Sequence, residues 1–315
     1  MFTMTALLQL FTWLLTGFLL LATALAILFA RRPLLGVAQH WGLQLWWLAL
    51  LGALPALWRG DWICFALCLA VAAWWSVMLF RRPRRAAADG APLLRIVAAN
   101  LLHANDALDR AGAAIAALQP DVAVLCEVTP DARAALRALE ARLPHALDTC
   151  APDSLYGIVI LSRFPLTERS RGIGEDPTPR HLAADLAIAG GTVSLLAIHP
   201  TNPLRLPRAH RIPGEFAAVA DLCRTLREDL IVIGDCNAAG WSSYLRGLER
   251  AAGLANDGGL RPSWPVWLPA PLRLPLDHVW VRGRLTLARV WPGPAYGSDH
   301  LPLVAEIGRP RDAGS

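Results

Sequence analysis

The sequence predicts an α/β protein in two parts: a region of three transmembrane helices, followed by a domain of two packed β-sheets flanked by helices. Hydrophobic residues make up 55% of the 315 residues and charged residues only 17%, whereas about a quarter of the residues in soluble proteins are charged. The long uncharged stretches all lie before residue 81. After residue 92, short β-rich runs alternate with helical ones, which is typical of layered α/β domains.

The N-terminal region contains three uncharged stretches that are long enough to cross a bilayer of about 30 Å as helices. They cover about residues 5–30, 34–58 and 62–80, within a transmembrane region of residues 1–85. Buried helices of a soluble domain are the alternative, which these lengths disfavour. A cleaved signal peptide is also disfavoured, because the extreme N-terminus lacks arginine and the first stretch exceeds a normal h-region.

The net charge of +5 belongs to the membrane region. All 30 basic residues are arginines, and residues 1–85 hold seven of them with one acid, Asp61, which leaves the rest of the chain at −1. Two spans separate Arg31-Arg32 from the arginine cluster at 81–85, so both lie on one side of the membrane. Because arginine-rich flanks stay in the cytoplasm, we expect an integral protein of a bacterial inner (plasma) membrane with its larger domain on the cytoplasmic side.

The larger domain is expected over residues 93–308, after a linker at 86–92 and before a tail at 309–315. Apolar runs and turn signals predict its strands, which are placed at 95–99, 121–126, 156–161, 182–188, 192–198, 230–233, 279–281, 285–290 and 303–307. Its helices are predicted at 107–118, 130–143, 215–227 and 242–252.

Polar residues recur where these apolar strands end. Asn100, Glu127, His199 and Asp235 each follow a predicted strand, and Asp299-His300 comes just before the last one. Loops that leave the strand ends of a layered sheet commonly carry sites. Carboxylates in such places need compensation, and a hard cation such as Mg²⁺ or Mn²⁺ provides it. Neither a phosphate-binding glycine loop, a GxSxG elbow nor paired CxxC spacing is present.

Taken together and in order, these elements resemble the endonuclease/exonuclease/phosphatase superfamily, which has the deoxyribonuclease I fold. The resemblance spans roughly residues 93–307, and its family-like spacing agrees with a four-layered α/β sandwich. The matching stretches are AAN ending at Asn100, VLCE ending at Glu127, ILSR ending at Arg163, LLAIHP around His199, IGDCN from Ile233, LDHVWV around Asp277 and GSDHLP from Gly297.

The resemblance implies a set of metal ligands. Glu127 would hold the catalytic Mg²⁺ or Mn²⁺, helped by Asn100 and by Asp299. Abasic-site endonucleases carry an aspartate two residues after the strand-end asparagine, where this sequence has Leu102. The resemblance therefore extends to metal-dependent phosphoester hydrolysis but not to abasic-site cleavage.

The resemblance also implies catalytic roles. His300 would be the general base, oriented by Asp277, and Asp235 would position the attacking water. His199 would donate to the phosphate or the leaving group. Two further side chains would bind the substrate phosphate, Asn237 and Arg163.

Three functions remain open on the sequence alone. Protein surfaces that bind nucleic acid are usually strongly basic, and the near-neutral larger domain therefore favours a lipid-linked or small phosphoester beside membrane lipids. An endo- or exonuclease acting on DNA or RNA is the alternative. The third is a catalytically inactive membrane interaction module, which predicts the loss of at least one ligand or base.

Overall fold

The computed structural model describes residues 3–32, 34–80, 92–151, 155–172 and 180–310. The chain divides into two compact units, one of Met1–Arg82 with Trp241–Ser243 and one of Pro83–Gly240 with Tyr244–Ser315. The arginine cluster at 81–85, most of the linker and most of the tail lie outside the described residues.

The first unit consists of apolar helices. α1 (Met4–Leu28), α2 (Gly42–Trp58) and α3 (Trp62–Phe80) are α-helical, and a 3₁₀ helix (Leu35–Trp41) leads directly into α2. Three segments are long and apolar enough to cross a membrane, at Met4–Leu28, Leu35–Trp58 and Trp62–Phe80. Hydrogen bonds join the helices, since the Trp75 indole nitrogen donates to the Thr23 hydroxyl at 3.1 Å. Polar contacts of this kind are common between helices packed in lipid.

The second unit contains eleven strands among the described residues. They are β1 (Leu94–Asn100), β2 (Val122–Val128), β3 (His145–Asp148), β4 (Gly157–Ser162), β5 (Leu166–Arg171), β6 (His181–Ile188), β7 (Gly191–Ile198), β8 (Leu230–Asp235), β9 (Asp277–Arg282), β10 (Thr286–Pro292) and β11 (Leu303–Gly308). The helices of this unit are α4 (Leu108–Ala117), α5 (Pro130–Ala135), α6 (Arg137–Glu140), α7 (Leu206–Ala209), α8 (Ile212–Thr225) and α9 (Ser243–Ala252), with a 3₁₀ helix at Ala270–Leu272.

The strands form two sheets. The first has the order β10-β11-β1-β2-β4-β3 and the second the order β5-β6-β7-β8-β9. β1 and β2 are parallel, as are β7 and β8, while the other neighbouring pairs are antiparallel. Asn100 is in register with Cys126, and Ala197 with Ile233. The C-terminal ends of the parallel strands therefore lie side by side in each sheet.

Three apolar layers hold the unit together. Side chains such as Ile96, Val124, Leu195 and Ile231 fill the space between the two sheets. The outer face of the first sheet packs against α4, α5 and α6, and the outer face of the second packs against α8 and α9. The result is two packed sheets with helices on both outer faces, which confirms the predicted α/β fold class.

The strands that the sequence analysis omitted are edge strands. β3 ends the first sheet and β5 ends the second. The helix predicted at 130–143 is divided at Leu136 into α5 and α6. The helix predicted from residue 215 begins three residues earlier, at Ile212, with Pro213 in its first turn, where proline's missing N–H costs nothing.

Candidate active site

Asp235, the last residue of β8, lies at the centre of a buried polar cluster. Its Oδ2 accepts a hydrogen bond from Asn100 Nδ2 at 2.9 Å and lies 3.7 Å from Nε2 of both His199 and His300. Its Oδ1 accepts from the Asn237 backbone at 2.8 Å. Burial raises the pKa of Asp235, although the two histidines oppose that shift. The ends of strands from both sheets thus meet at one carboxylate.

Gly234 explains why the sequence before Asp235 is constrained. It has φ +147°, and a Cβ placed on it would lie 2.1 Å from the Ile198 carbonyl oxygen of the neighbouring strand. Only glycine permits that approach between β7 and β8. The close contact keeps His199, which follows Ile198, beside Asp235.

Glu127 is the second carboxylate of the cluster. Asn100 Nδ2 donates to its Oε1 at 3.1 Å, His103 Nδ1 lies 2.7 Å from Oε2, and His199 Nε2 lies 3.8 Å from Oε1. Burial opposes ionisation, but His199, His103 and Asn100 outweigh it and lower the pKa of Glu127 to about 2. Its backbone is left-handed at φ +54°, a strained conformation that often occurs at functional sites. Glu127 is therefore an ionised carboxylate held in place by its neighbours.

His300 and Asp277 form a buried pair. His300 Nδ1 lies 2.8 Å from Asp277 Oδ2, and the side chains are 5% and 1% exposed. Burial favours the neutral imidazole, but Asp277 and Asp235 outweigh it and raise the pKa of His300 to about 10. Asp277 also pairs with Asp235 across the β8–β9 ladder. This arrangement fixes one ring nitrogen on a carboxylate and directs the other towards Asp235.

The pKa of His199 is shifted in the opposite direction to that of His300. It is 3% exposed, and burial lowers its pKa. Its Nδ1 has no hydrogen-bond partner among the described residues, while Nε2 faces Glu127 and Asp235. The neutral ring with its proton on Nε2 therefore suits this environment.

The loop after His199 is held by a buried glutamate. Glu215, in the first turn of α8, accepts from the Thr201 backbone at 2.7 Å and from its hydroxyl at 2.6 Å. Arg180 Nε lies 3.5 Å from the same carboxylate. Asn237 Nδ2 donates to the Pro200 carbonyl of this loop at 3.0 Å. The amide that was predicted to hold a phosphate oxygen thus bonds to the chain itself.

Asp299 is the neighbour of His300 in the chain, but its hydrogen bonds join it to the loop that begins at Trp264. Trp264 Nε1 donates to its Oδ2 at 2.8 Å, and the Val266 N–H donates to its carbonyl at 2.9 Å. Ser298 Oγ donates to the Asn100 carbonyl at 2.6 Å. These bonds join the segment before His300 both to the end of β1 and to the loop that begins at Trp264.

The buried carboxylates of the cluster fit a divalent cation. One oxygen of Asp277, Oδ1, is buried without a hydrogen-bond partner in the described part of the chain. Asp235, Asp277 and His300 present ligand atoms within 4.8 Å of one another. Since His300 Nδ1 is already bonded to Asp277, this trio has the geometry of an oriented base. Glu127 is the better candidate for a metal ligand, because its carboxylate is ionised and faces His199, which also faces Asp235.

Asn100 has a different orientation from that of a metal ligand. Its Nδ2 donates to both Glu127 and Asp235, and its Oδ1 accepts from the Leu102 backbone at 2.9 Å. In this state the amide holds two carboxylates together. Ligation through oxygen requires the amide to rotate.

Arg163 does not reach the cluster. It follows β4, which runs antiparallel to β2, so it lies beside the beginning of β2 and not beside Glu127. Its guanidinium pairs with Asp121 at 3.0 Å and is 64% exposed. Arg163 therefore lies outside the cluster, and the phosphate contact expected of it stays a prediction.

His103 and Trp264 are site residues that the sequence analysis missed. His103 contacts Glu127 through both its ring and its backbone N–H, yet it belongs to none of the quoted stretches. Its position three residues after Asn100 was the only available signal. Trp264 contacts Asp299 across 35 residues, a separation that no local pattern indicates.

The comparisons with known proteins agree with this geometry. The model of the endonuclease/exonuclease/phosphatase family matches residues 97–300. The chain belongs to this family. Enzymes of the superfamily act on phosphoester bonds and typically use divalent metals. No curated protein matches the chain.

Several solved structures share the fold. An endonuclease/exonuclease/phosphatase from Beutenbergia cavernae is similar with a TM-score of 0.55 and 19% identity, over 69% of this chain and 72% of that one. Humanized D. rerio TDP2 gives 0.56 and 20%, over 68% and 98%. The 3′ phosphatase NExo from Neisseria, bound to a product DNA hairpin, gives 0.53 and 21%, over 68% and 99%.

Proposed function

We propose that this chain is a membrane-anchored, Mg²⁺- or Mn²⁺-dependent phosphoesterase that hydrolyses a lipid-linked or small phosphoester. The observation that carries the proposal is the cluster around Asp235, where an ionised Glu127, an oriented His300 and a neutral His199 face one another. Phosphoester hydrolysis needs charge neutralisation, an activated water and a donor to the phosphate. In this proposal Glu127 serves the cation that neutralises charge, His300 activates the water and His199 donates to the phosphate.

In this proposal Glu127 holds the cation, with Asp299 and a rotated Asn100 as further ligands. The cation supplies charge neutralisation on the nonbridging phosphate oxygens. His300 takes a proton from water at Nε2 while Asp277 accepts from Nδ1 and keeps the ring in place.

The remaining polar groups orient the substrate. Asp235, 3.7 Å from both histidines, accepts a hydrogen bond from the attacking water and directs it. His199 donates from Nε2 to a phosphate oxygen, and Asn237 adds a second donor when its amide leaves the Pro200 carbonyl.

A lipid-linked substrate is favoured by the charge distribution. Residues 1–85 have a net charge of +6, while the remaining chain is −1 and contains no lysine. Arginines beside a membrane span attract anionic headgroups. A phosphoester in a lipid headgroup therefore lies near the arginines of residues 1–85. A nucleic acid bound to the larger unit would contact a part of the chain with a net charge of −1.

A nuclease is the second candidate, and a specific observation favours it. Two structures with the same fold hold nucleic acid products: D. rerio TDP2 with single-strand DNA, at a TM-score of 0.55 and 19% identity, and the Neisseria 3′ phosphatase with a DNA hairpin. An inactive membrane module is the third, which the presence of all the predicted cluster residues disfavours.

A substrate panel tests these alternatives. The full chain in nanodiscs is incubated with Mg²⁺ and with plasmid DNA, single-stranded DNA, phospholipids, phosphoinositides and polyprenyl pyrophosphate. We expect release of phosphate or an alcohol from a lipid, and its loss in both Glu127→Ala and His300→Ala. Cleavage of DNA alone would favour the nuclease, and full activity in both variants would contradict the assigned site.

We also propose that the larger unit faces the cytoplasm of a bacterial inner membrane. The arginine placement supports this orientation. A reporter that functions only in the periplasm, fused after Ser315, should be inactive, whereas an active fusion would reverse the topology.

A further inference from the structure

The exposed large apolar side chains of the second unit are confined to a few loops. Among described residues 92–310, the large apolar side chains that are substantially exposed are Leu155 at 47%, Leu204 at 60%, Trp267 at 68% and Leu272 at 47%. We call these four residues the apolar rim. Single exposed leucines are unremarkable on a soluble surface, but these are all on the same side of the fold.

Their loops surround the polar cluster. Leu155 precedes β4, whose first residue Gly157 is paired with Val128 beside Glu127. Leu204 follows β7 and His199. Trp267 and Leu272 precede β9, which starts at Asp277. Each loop therefore lies at the sheet edge where Glu127, Asp235 and Asp277 are found.

Contacts between side chains link the apolar rim to the polar cluster on two sides. Arg205, the neighbour of Leu204, lies over the ring of Tyr156 at 4.6 Å, and that ring is 6.3 Å from the His199 ring. On the other side, the Trp267 ring is 6.4 Å from Trp264, which is 6.4 Å from His300. One aromatic ring therefore lies between the rim and each histidine, Tyr156 before His199 and Trp264 before His300.

The loop that carries Trp267 is braced. A two-residue bridge between Trp264 and Leu274 closes its base. The Arg273 guanidinium donates to the carbonyls of Leu268 at 2.6 Å and Val266 at 2.7 Å. These hydrogen bonds hold the loop in a conformation that leaves Trp267 exposed to solvent.

In the two loops that carry Leu204, Trp267 and Leu272, the charged residues are all arginines. Residues 200–214 contain Arg205, Arg208 and Arg211 and no acid, and all three arginines are exposed. Residues 260–276 contain Arg261 and Arg273 and again no acid. Exposed tryptophan and leucine flanked by arginine are the combination that binds at the interface of anionic bilayers.

We propose that the apolar rim docks into a bilayer that contains anionic lipid, so that a phosphoester headgroup enters the cluster while its apolar part stays in the membrane. The inference rests on the proposed membrane anchoring, since three spans of the same chain keep a bilayer close. It specifies the substrate as a lipid taken from the bilayer surface. The arginines next to Leu204 contact the headgroups, while Leu204 and Trp267 enter the acyl boundary.

A fluorescence experiment tests the docking without using activity. The full chain carries Cys150→Ser, because the other five cysteines are buried, and one new cysteine labelled with the fluorophore NBD. The positions are Leu204→Cys, Trp267→Cys and the control Glu228→Cys, whose side chain is 81% exposed before β8 at the edge opposite Asp235. Nanodiscs contain phosphatidylcholine alone or mixed equally with phosphatidylglycerol.

We expect NBD at 204 and 267 to brighten several-fold and shift to the blue in the anionic nanodiscs, while NBD at 228 stays in water. Spectra at 204 and 267 that match the control in both lipids would overturn the docking. So would a blue shift of equal size in both lipids and in detergent solution, since the label would then report an apolar environment other than an anionic bilayer.

A second measurement separates docking from catalysis. In the double variant Leu204→Ser/Trp267→Ser, the ratio of turnover on nanodisc phospholipid to turnover on bis-(p-nitrophenyl) phosphate should fall at least about tenfold, because polar side chains partition poorly into lipid. An unchanged ratio would contradict the docking. Lipid-dependent fluorescence with no turnover of any phosphoester would instead contradict the proposed function and leave the docking supported.

Discussion

His300 Nδ1 lies 2.8 Å from the carboxylate of Asp277, and this pair lies beside Asp235 in the interior of the second unit. Nδ1 is thereby hydrogen-bonded to a carboxylate, which leaves Nε2 available for proton transfer. An imidazole held this way has a fixed tautomer and a raised basicity.

The Asp277→Asn variant tests this pair. Loss of the negative charge should reduce turnover about 100- to 10,000-fold, the range associated with a positioned general base. The wild-type rate should rise with pH towards the His300 pKa of about 10, since the base acts only when deprotonated. In Asp277→Asn that rise should occur at lower pH, because the charge that raises the pKa is gone. A pH–rate profile that keeps its midpoint in the variant would contradict the role of Asp277.

His103 offers a test of where the metal binds. If Glu127 holds the cation, His103 orients that carboxylate from its second oxygen. His103→Gln should then weaken Mg²⁺ about 10- to 100-fold, as for other residues that orient a metal ligand. Activity measured against Mg²⁺ concentration should recover at saturation. The control is His210→Gln, an exposed histidine between α7 and α8, for which the Mg²⁺ midpoint should not move.

Gly234→Ala tests the contact between β7 and β8. The added Cβ meets the Ile198 carbonyl oxygen at 2.1 Å in a left-handed backbone, so unfolding stability should fall by at least about 3 kcal/mol. Gly247→Ala is the matched control, since nothing lies within 4 Å of its Cβ in α9. It should stabilise the protein by up to about 1 kcal/mol. Thermal unfolding of the detergent-solubilised chain measures both, and equal midpoints would contradict the stated constraint.

His181 predicts a pH dependence of stability. Burial lowers its pKa from 6.5 to about 4, and Ser170 Oγ lies 2.9 Å from its Nε2. Between pH 6.5 and 4 the unfolded chain takes up a proton that the folded chain does not bind, so stability falls as pH falls, by about 3 kcal/mol at pH 4.

His181→Asn should remove this contribution, and its unfolding temperature should decline less over that pH range. His210→Asn serves for comparison, because that side chain is exposed and its replacement should leave the wild-type slope. Parallel slopes for the wild type and both variants would exclude His181 as the cause.

The central strands could be predicted from sequence because they are buried on both faces. Ile96, Val124 and Ile231 belong to continuous apolar runs, and the polar residue that ends each run was easy to find. β3 and β5 escaped prediction because edge strands expose one side. β5, with the sequence LTERSR, presents mostly polar side chains to solvent.

Strand direction explains why Arg163 lies away from the cluster while Glu127 lies within it. Both residues come at or near the end of an apolar strand, but β4 runs antiparallel to β2. The sequence of a motif does not show at which edge of the sheet its strand ends. Likewise, His103 contacts Glu127 after a left-handed turn at Leu102, φ +60°, and such a turn at leucine has no sequence signature.

The cluster takes Asn100 and Glu127 from one sheet and His199, Asp235 and Asp277 from the other. The thickness of the apolar layer between the sheets therefore sets the separation between Glu127 and the second-sheet groups His199, Asp235 and Asp277. A substitution such as Ile96→Ala in that layer can leave both sheets intact and still move the two halves of the site apart. We therefore expect substitutions in this layer to lower activity before they unfold the protein.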